Sequence, residues 1–287
     1  MNSLQLKIPY RTLVFDMDGT LLNAHNELDD SLKQLLLELK KSGYQLVVAT
    51  GRTFGEVKPF MKVDEFDRYI CSNGMTIHNA QFERIYHQTL PPIMLPKLVI
   101  EAAKQGIYYE LRQDEGPGRV AKQHLPMLLQ MLQGEQGSVS THEWQARKSI
   151  VQELEPLEDE HFQQAVKIYF FHPQKEVIQK WRYTLQQIIS DEPISIESSS
   201  EYSCEIVHFD ATKGKGIERL IADGFTSNEE VICFGDSYND LSMFQIAAYC
   251  VAMKNANDEV KQKANEVTRN TNAENGIYNW LKQQIKE

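Results

Sequence analysis

The sequence predicts an α/β protein: a Rossmann-like parallel sheet forms the core, and a second α/β domain is inserted into it. Short apolar runs alternate with segments of helical periodicity, which is typical of parallel strands joined by helices. This alternation is found towards both ends of the 287-residue chain, and the pattern of helices and strands is different in the middle. The length corresponds to about two domains of ordinary size.

The first part of the chain contains three predicted strands. Thr12 to Phe15 and Gln45 to Ala49 are apolar runs of the kind found in buried parallel strands, and Arg68 to Cys71 is the third. Between the first two, a helix is predicted from Asp29, a favoured N-cap residue, to Gly43. Leucines at helical spacing form its buried face: Leu32, Leu35, Leu36 and Leu39.

The last part of the chain repeats this alternation. We predict a helix over Lys213 to Asp223, strands over Glu230 to Phe234 and Tyr249 to Ala252, a helix from Tyr238, and helical stretches near Asn257 and Glu274. The middle contains predicted helices over Pro91 to Gln105 and Pro173 to Ile189 and strands over Ile107 to Leu111 and Val166 to Phe171. The predicted core therefore comprises residues 1–84 and 201–287, and residues 85–200 form the inserted domain.

Charge and composition exclude several classes of protein. Thirty basic and forty acidic residues give a net charge of −10, whereas a protein that binds duplex nucleic acid normally presents a basic face. No apolar run approaches the roughly 20 residues of a membrane span, and Met1 to Thr12 lacks the layout of a signal peptide. The four cysteines show no metal-binding spacing. We therefore expect a cytoplasmic protein with no nucleic-acid or membrane partner. The sequence leaves the choice between a monomer and a homodimer open.

The most informative motif is Asp16-Met17-Asp18-Gly19-Thr20, which directly follows the first predicted strand. Ligands of open α/β sheets bind beyond the carboxyl ends of the strands. Two carboxylates at this place can converge on a metal ion, and Gly19 allows the chain to turn sharply. A plain Asp-Gly turn explains Asp18 alone, but it does not explain Asp16 after three apolar residues.

A second acidic motif, Gly235 to Asp240, follows another predicted strand. It adds Asp236 and Asp240 to the same edge if the two strands are neighbours. Carboxylates gathered at one edge repel each other unless a cation neutralises them. A metal site made only of oxygen ligands, with a phosphate group expected as the bound partner, points to Mg²⁺. Asp240 is equally well explained by the preference for acidic residues at helix N-termini, but Asp236 is not.

Two further segments supply groups that bind anions. Thr50-Gly51-Arg52 follows the second strand and offers a hydroxyl and backbone N–H groups at the start of a helix. Lys213-Gly214 opens another helix, where the helix dipole disfavours a lysine; its presence there suggests an anionic ligand. Each segment is weak evidence on its own, because Thr-Gly turns and surface lysines are common.

Taken in order, these four motifs resemble those of the haloacid dehalogenase (HAD) superfamily. Further segments resemble its Cof-type branch, sugar-phosphatase-like hydrolases with a type IIB cap: Cys71 to Gly74, Val251 to Ala256 and Glu274 to Ile277. The resemblance covers nearly the whole chain and is weakest in the inserted domain. It implies a HAD-like core and a cap domain that gives substrate selectivity.

The resemblance also implies a mechanism. Asp16 is expected to be the nucleophile that forms an aspartyl-phosphate, and Asp18 the general acid and base. The expected metal site for Mg²⁺ comprises Asp16, Asp18 (through its backbone carbonyl), Asp236 and Asp240. The expected phosphate-binding residues are Met17, Thr50, Gly51, Lys213 and Asn239, with Arg52 and Asn73 as possible substrate contacts.

The function predicted in this way is a Mg²⁺-dependent phosphomonoester hydrolase that acts on small phosphorylated metabolites such as sugar or cofactor phosphates. Two alternatives remain open: a phosphomutase on the same fold, and a non-catalytic protein that binds phosphometabolites. Polar side chains of the cap are candidates for substrate recognition, although ordinary solvated surface explains them better: Arg112, Arg119, Lys122 and His124.

Overall fold

The structure is a computed structural model that describes residues 4–158, 162–190 and 192–286. The chain divides into two compact units. The first, called the core unit here, is discontinuous and comprises Met1–His87 and Ala211–Glu287. The second, the cap unit, comprises Gln88–Asp210. The predicted α/β class, with a mainly parallel core sheet and an α/β insert, is confirmed.

The core unit is built on an eight-stranded sheet with strand order β14-β13-β12-β1-β2-β3-β4-β5. The strands are β1 (Thr12–Phe15), β2 (Gln45–Ala49), β3 (Arg68–Cys71), β4 (Thr76–Asn79), β5 (Arg84–His87), β12 (Val231–Gly235), β13 (Tyr249–Ala252) and β14 (Glu266–Val267). All neighbouring pairs from β14 to β3 are parallel, and β4 and β5 continue the sheet as an antiparallel edge.

Helices cover both faces of this sheet. They are α1 (Asp30–Lys41), α2 (Phe54–Val57), α7 (Lys213–Ala222), α8 (Leu241–Phe244), α9 (Asp258–Lys263) and α10 (Gly276–Gln284). Successive residues of β1 contribute to the two faces: Phe15 packs in the cluster that contains leucines of α1, and Val14 in the cluster that contains Ile217 of α7. Burial on both faces explains why the sequence of β1 is apolar throughout.

The cap unit contains a six-stranded, mostly antiparallel sheet with the order β10-β11-β9-β6-β7-β8. Its strands are β6 (Tyr108–Arg112), β7 (Arg119–Ala121), β8 (Glu155–Leu157), β9 (Lys167–Phe171), β10 (Ile194–Ser200) and β11 (Ser203–His208). Its helices are α3 (Leu95–Lys104), α4 (Leu125–Gln133), α5 (Thr141–Glu153) and α6 (Lys175–Ile188). The unit has an apolar core of its own, which includes Trp181, Phe170 and Leu98.

The predicted domain junctions differ from the boundaries of these units. The core unit extends to His87 instead of residue 84, because β5 pairs with β4 at the edge of the core sheet. The cap unit extends to Asp210 instead of residue 200. Strand β11 pairs with both β10 and β9, so that it belongs to the cap sheet.

Candidate active site

The carboxyl ends of the central parallel strands bring the predicted motifs together. In register, Phe15 at the end of β1 lies between Phe234 of β12 and Val48 of β2. The residues that follow these strands, from Asp16, Asp236 and Thr50 onwards, therefore lie at one edge of the sheet.

At the centre of this edge lies a buried cluster of Asp16, Lys213 and Asp240. The Nζ of Lys213 donates hydrogen bonds to Oδ1 of Asp16 and, at 2.6 Å, to Oδ1 of Asp240. The lysine is completely buried. Oδ2 of Asp240 accepts hydrogen bonds from the backbone N–H groups of Asp236 and Ser237 at 2.8 and 2.9 Å. Asp240 therefore holds both the acidic turn, which is the segment Gly235 to Asp240, and the side chain of Lys213 in place.

Asp236 joins this cluster from the end of β12. Its Oδ1 accepts a hydrogen bond from Oγ1 of Thr20 at 3.1 Å, and the Gly19 backbone lies directly against its carboxylate. A Cβ atom at Gly19 would lie 2.5 Å from Oδ2 of Asp236, and Gly19 has a positive φ of 75°. Glycine is therefore required here for both its conformation and the close approach. Thr20 was not singled out from the sequence; its place in the turn after Asp16 and Asp18 is the signal that could have identified it.

The donor set fits a hard divalent cation. Single carboxylate oxygens of Asp16, Asp236 and Asp240 lie within 4.8 Å of one another. Oδ2 of Asp16 is buried and has no hydrogen-bond partner among the described residues. Three carboxylates lie near a single lysine, so that negative charge is in excess. Carboxylate oxygens are also the ligands that Mg²⁺ prefers. The side chain of Asp18, in contrast, is not part of this cluster.

The pKa values of the cluster reflect its burial first and its excess of negative charge second. Burial raises the pKa of Asp16 above its ordinary value and outweighs the opposing effect of Lys213, and Asp240 adds to the rise. Burial and the Asp240 carboxylate also raise the pKa of Asp236. Burial alone would lower the pKa of Lys213, but Asp16 and Asp240 keep it above its ordinary value. A bound cation would relieve this repulsion.

The Asp18 carboxylate is half-exposed and is bound by Arg52. The Nε of Arg52 donates to Oδ2 of Asp18 at 2.8 Å, and Nη2 donates to Oδ1. The guanidinium also lies over the exposed ring of Phe60, 5.0 Å from its centroid. Arg52 is predicted as a possible substrate contact, and in the structure it binds the predicted acid/base group Asp18.

The other predicted phosphate-binding residues lie at the same strand ends. Oγ1 of the buried Thr50 accepts a hydrogen bond from the Arg52 N–H at 3.1 Å. Nδ2 of Asn239 donates to Oδ1 of Asn73 at 3.4 Å, and this oxygen also lies 3.3 Å from where a Cβ of Gly51 would be. The side chain of Met17 is buried in the apolar core, which leaves its backbone for any ligand contact.

Asn255 and Asn272 also contact the turn that carries Asp16 and Asp18. Nδ2 of Asn255 donates to the Gly19 carbonyl oxygen at 2.8 Å, and Nδ2 of Asn272 donates to that of Leu22 at 2.9 Å. Asn255 lies in the segment Val251 to Ala256, which resembles the Cof-type branch, but no role is predicted for it from the sequence. Its position just after β13, at the same sheet edge, is the signal that could have identified it.

The four polar cap residues that were candidates for substrate recognition all have partners within the cap unit. Arg112 binds Glu110, Arg119 binds Glu155 and Lys122 binds Glu158, with N–O distances of 3.1, 2.9 and 2.6 Å. Nδ1 of His124 is hydrogen-bonded to the Tyr109 hydroxyl at 2.7 Å. None of these contacts requires a substrate.

Comparison with known proteins identifies the family. The model of the haloacid dehalogenase-like hydrolases matches residues 13–281. The chain belongs to this family. The predicted superfamily membership and the predicted class of enzyme, a hydrolase of the phosphatase type, are thereby confirmed.

Two curated relatives of this HAD family member are named phosphatases. One is the 5-amino-6-(5-phospho-D-ribitylamino)uracil phosphatase YwtE of Bacillus subtilis, 26% identical, with 95% of this chain and 97% of the relative covered. Another is the pyridoxal phosphate phosphatase YbhA of Escherichia coli, 25% identical, with coverages of 90% and 92%. These relatives support phosphatase activity on phosphorylated metabolites.

Among solved structures, the HAD subclass IIB sugar phosphatase BT4131 has the same fold, with a TM-score of 0.69 and 21% identity. The similarity covers 95% of this chain and 98% of that one. None of the helices in the described parts of the chain combines the length and apolar character needed to cross a membrane.

Proposed function

We propose that this protein is a Mg²⁺-dependent phosphomonoester hydrolase that works through an aspartyl-phosphate on Asp16. The observation that carries the proposal is the buried Asp16 carboxylate at the end of β1. Lys213 binds one of its oxygens, and the other has no hydrogen-bond partner among the described residues. A desolvated carboxylate with one unpartnered oxygen and a fixed cation beside it suits nucleophilic attack on phosphorus.

In the first step, a carboxylate oxygen of Asp16 attacks the phosphorus atom, and the bond from phosphorus to the ester oxygen breaks. Asp18 donates its proton to the departing oxygen, so that the leaving group departs as an alcohol. Lys213, the Thr50 hydroxyl, the Gly51 N–H and Asn239 stabilise the charge on the phosphoryl oxygens. Positioning and charge neutralisation of this kind dominate the catalysis of phosphoryl transfer.

In the second step, Asp18 takes a proton from a water molecule, whose oxygen attacks the phosphorus of the aspartyl-phosphate. The bond between phosphorus and Asp16 breaks, inorganic phosphate leaves, and both carboxyl groups return to their initial states. The same side chain therefore acts as acid and then as base. Arg52 keeps Asp18 in place beside the turn between these steps, through the two hydrogen bonds that it donates.

Asp16, Asp236 and the backbone carbonyl of Asp18 would hold the Mg²⁺ ion, and Asp240 would support it through the acidic turn. When bound, the ion neutralises the carboxylate cluster and the charge of the phosphoryl group. The closeness of single oxygens of Asp16, Asp236 and Asp240, all within 4.8 Å of one another, supports this assignment.

We propose small phosphorylated metabolites, sugar or cofactor phosphates, as the substrates, and the cap unit as the source of selectivity. The phosphatases named above, which act on a ribityl phosphate and on pyridoxal phosphate, support this substrate class. We also propose a cytoplasmic, monomeric or homodimeric protein without nucleic-acid or membrane partners. The four cysteines are free and buried, which agrees with a reducing compartment.

A phosphatase screen tests the proposal. Purified protein with Mg²⁺ should release inorganic phosphate from p-nitrophenyl phosphate and from some members of a panel of sugar and cofactor phosphates, and a chelator should stop the reaction. Product analysis of each reaction separates hydrolysis from isomerisation of the sugar phosphate. Absence of phosphate release from the whole panel would refute the proposal, and tight calorimetric binding without turnover would indicate a binding protein instead.

A further inference from the structure

We propose that Asn255 is a positioning residue that fixes the catalytic turn for metal binding. The catalytic turn here means residues 16–22, which carry Asp16 and Asp18. This inference rests on the proposed function, because it concerns the same carboxylate cluster. The hydrogen bonds of the Asn255 side chain within the described residues join it to the Gly19 carbonyl and the Asn272 N–H, so that it acts through the peptide group that follows Gly19.

The catalytic turn needs outside support because of its backbone geometry. Two internal hydrogen bonds close it, from the Leu21 N–H to the Asp16 carbonyl oxygen at 3.1 Å and from the Leu22 N–H to that of Met17 at 2.9 Å. Between them, Asp18 and Gly19 depart from helical geometry. The Gly19 carbonyl oxygen receives its hydrogen bond from Asn255.

Gly19 is therefore held from two sides. Its α-carbon lies against the Asp236 carboxylate, so closely that a Cβ atom would lie 2.5 Å from Oδ2. Its carbonyl oxygen is held by Asn255 at 2.8 Å. This carbonyl belongs to the peptide group between Gly19 and Thr20, so its rotation would change the backbone of both residues and the contacts that both make with Asp236. Asn255 thus couples the segment after β13 to the backbone that packs against Asp236.

Asn255 is itself oriented by its second polar atom. Its Oδ1 accepts a hydrogen bond from the Asn272 N–H at 3.0 Å, while the Asn272 side chain holds the Leu22 carbonyl. These contacts fix which way the amide of Asn255 points: oxygen towards Asn272 and nitrogen towards Gly19. Asn255 is exposed, so that its replacement leaves no cavity in the core.

Two variants and a matched control test the inference in the full-length protein. Asn255→Ala removes both hydrogen bonds. Asn255→Asp has the same shape and still accepts from Asn272, but it turns an acceptor oxygen towards the Gly19 carbonyl. The control is Asn279→Ala. It loses a similar hydrogen bond, which the side-chain Nδ2 of Asn279 donates to the Glu274 carbonyl oxygen at 3.0 Å. This hydrogen bond lies outside the catalytic turn.

The measurements are the affinity for Mg²⁺ by calorimetry, kcat and KM at saturating Mg²⁺, and Tm. We expect both Asn255 variants to lose about 10- to 100-fold in Mg²⁺ affinity, as is usual for residues that orient metal ligands. We expect kcat to fall and KM to change little, and Asn279→Ala to match the wild type in affinity and kcat.

Wild-type Mg²⁺ affinity and kcat in both Asn255 variants would overturn the inference. So would wild-type behaviour of Asn255→Asp alone, since the amide donor would then be dispensable. Loss of affinity in proportion to loss of Tm in all three variants would indicate a merely structural role. If the wild type binds Mg²⁺ but releases no phosphate, the proposed function fails, whereas the calorimetric comparison still tests Asn255.

Discussion

The core unit and the cap unit both contain clusters of buried charge, and the two clusters differ in how completely they are paired. In the core unit, one lysine faces the carboxylates of Asp16, Asp236 and Asp240, and an oxygen of Asp16 has no partner among the described residues. In the cap unit, Glu110 is surrounded by donors from Arg112, Arg147 and the Tyr108 hydroxyl.

The incomplete pairing of the Asp16 cluster distinguishes a candidate site of chemistry from a structural charge cluster. Buried polar groups are normally paired because an unpaired one is costly. Both carboxylate oxygens of Glu110 meet this requirement within the protein, and only Nε of Arg147 lacks a hydrogen-bond partner among the described residues of this cluster. The Asp16 cluster leaves negative charge in excess, and a cation and a substrate are what would balance it. Substitutions in the two clusters should therefore have unequal effects on activity.

The largest expected effect is that of Asp16→Asn on turnover. The amide keeps the shape of the side chain but is not a nucleophile, so phosphate release should fall at least about 10³-fold. The free energy of unfolding should stay the same or rise, since one of the repelling carboxylates is removed. Steady-state kinetics and thermal denaturation check both points. Residual activity within tenfold of wild type would remove Asp16 from its role.

A second pair of variants removes one cation from each cluster. Lys213→Met leaves Asp16 and Asp240 buried without their lysine, and should cost about 3–5 kcal/mol of stability as well as nearly all activity. Arg147→Met leaves Glu110 with Arg112 and Tyr108, and should cost about 1–3 kcal/mol with kcat for p-nitrophenyl phosphate within about threefold of wild type. Denaturant titrations and initial rates measure these effects; equal loss of activity in the two variants would contradict the comparison.

A third pair substitutes one glycine in each unit. Gly19 and Gly116 both have positive φ, 75° and 90°, but a Cβ atom would clash with Asp236 only at Gly19. Gly19→Ala should therefore lower Mg²⁺ affinity about 10- to 100-fold, whereas Gly116→Ala should cost only about 1 kcal/mol of backbone strain. Calorimetry and denaturation distinguish the two outcomes. Unchanged Mg²⁺ affinity in Gly19→Ala would separate that contact from metal binding.

The smallest expected effects concern the surface ion pairs of the cap unit. Lys122 and Glu158 are both largely exposed. Exposed pairs contribute about 0–1 kcal/mol, so Lys122→Ala should change stability by no more than this. If the residue is ordinary surface, KM for every substrate of the panel also stays constant. A rise in KM for one class of substrate would instead assign Lys122 to recognition.

Much of the candidate active site could be predicted because its residues lie in short motifs directly after apolar strands. Asp16, Thr50 and Asp236 follow strands whose buried sequences are easily recognised, and parallel strands bring their carboxyl ends together. The contact between Arg52 and Asp18 is not predicted, because it depends on where a partly buried and a half-exposed side chain point. Nothing in the spacing of the motifs fixes such a direction.

The cap unit was harder to predict for reasons that lie in its sequence. Helix α5 was missed because its apolar residues form no continuous stripe. Strand β10 contains a run of serines and has an irregular register with β11, so that it lacks the alternation of a half-buried strand. The domain junction was consequently placed before β11 instead of after it. A periodic hydrophobic pattern reveals a helix or a strand when one of its faces is buried. Helix α5 and strand β10 show little of this one-sided burial.

The aspartyl-phosphate can be sought by identifying the residue that carries the phosphoryl group during turnover. Wild-type protein is mixed with Mg²⁺ and a good substrate from the panel, quenched in acid within one turnover, and its peptides are analysed by mass spectrometry. We predict a single acid-stable, base-labile phosphoryl group on Asp16, and none in Asp16→Asn. Rapid turnover with no phosphorylated peptide, or with the phosphoryl group on another residue, would contradict the account.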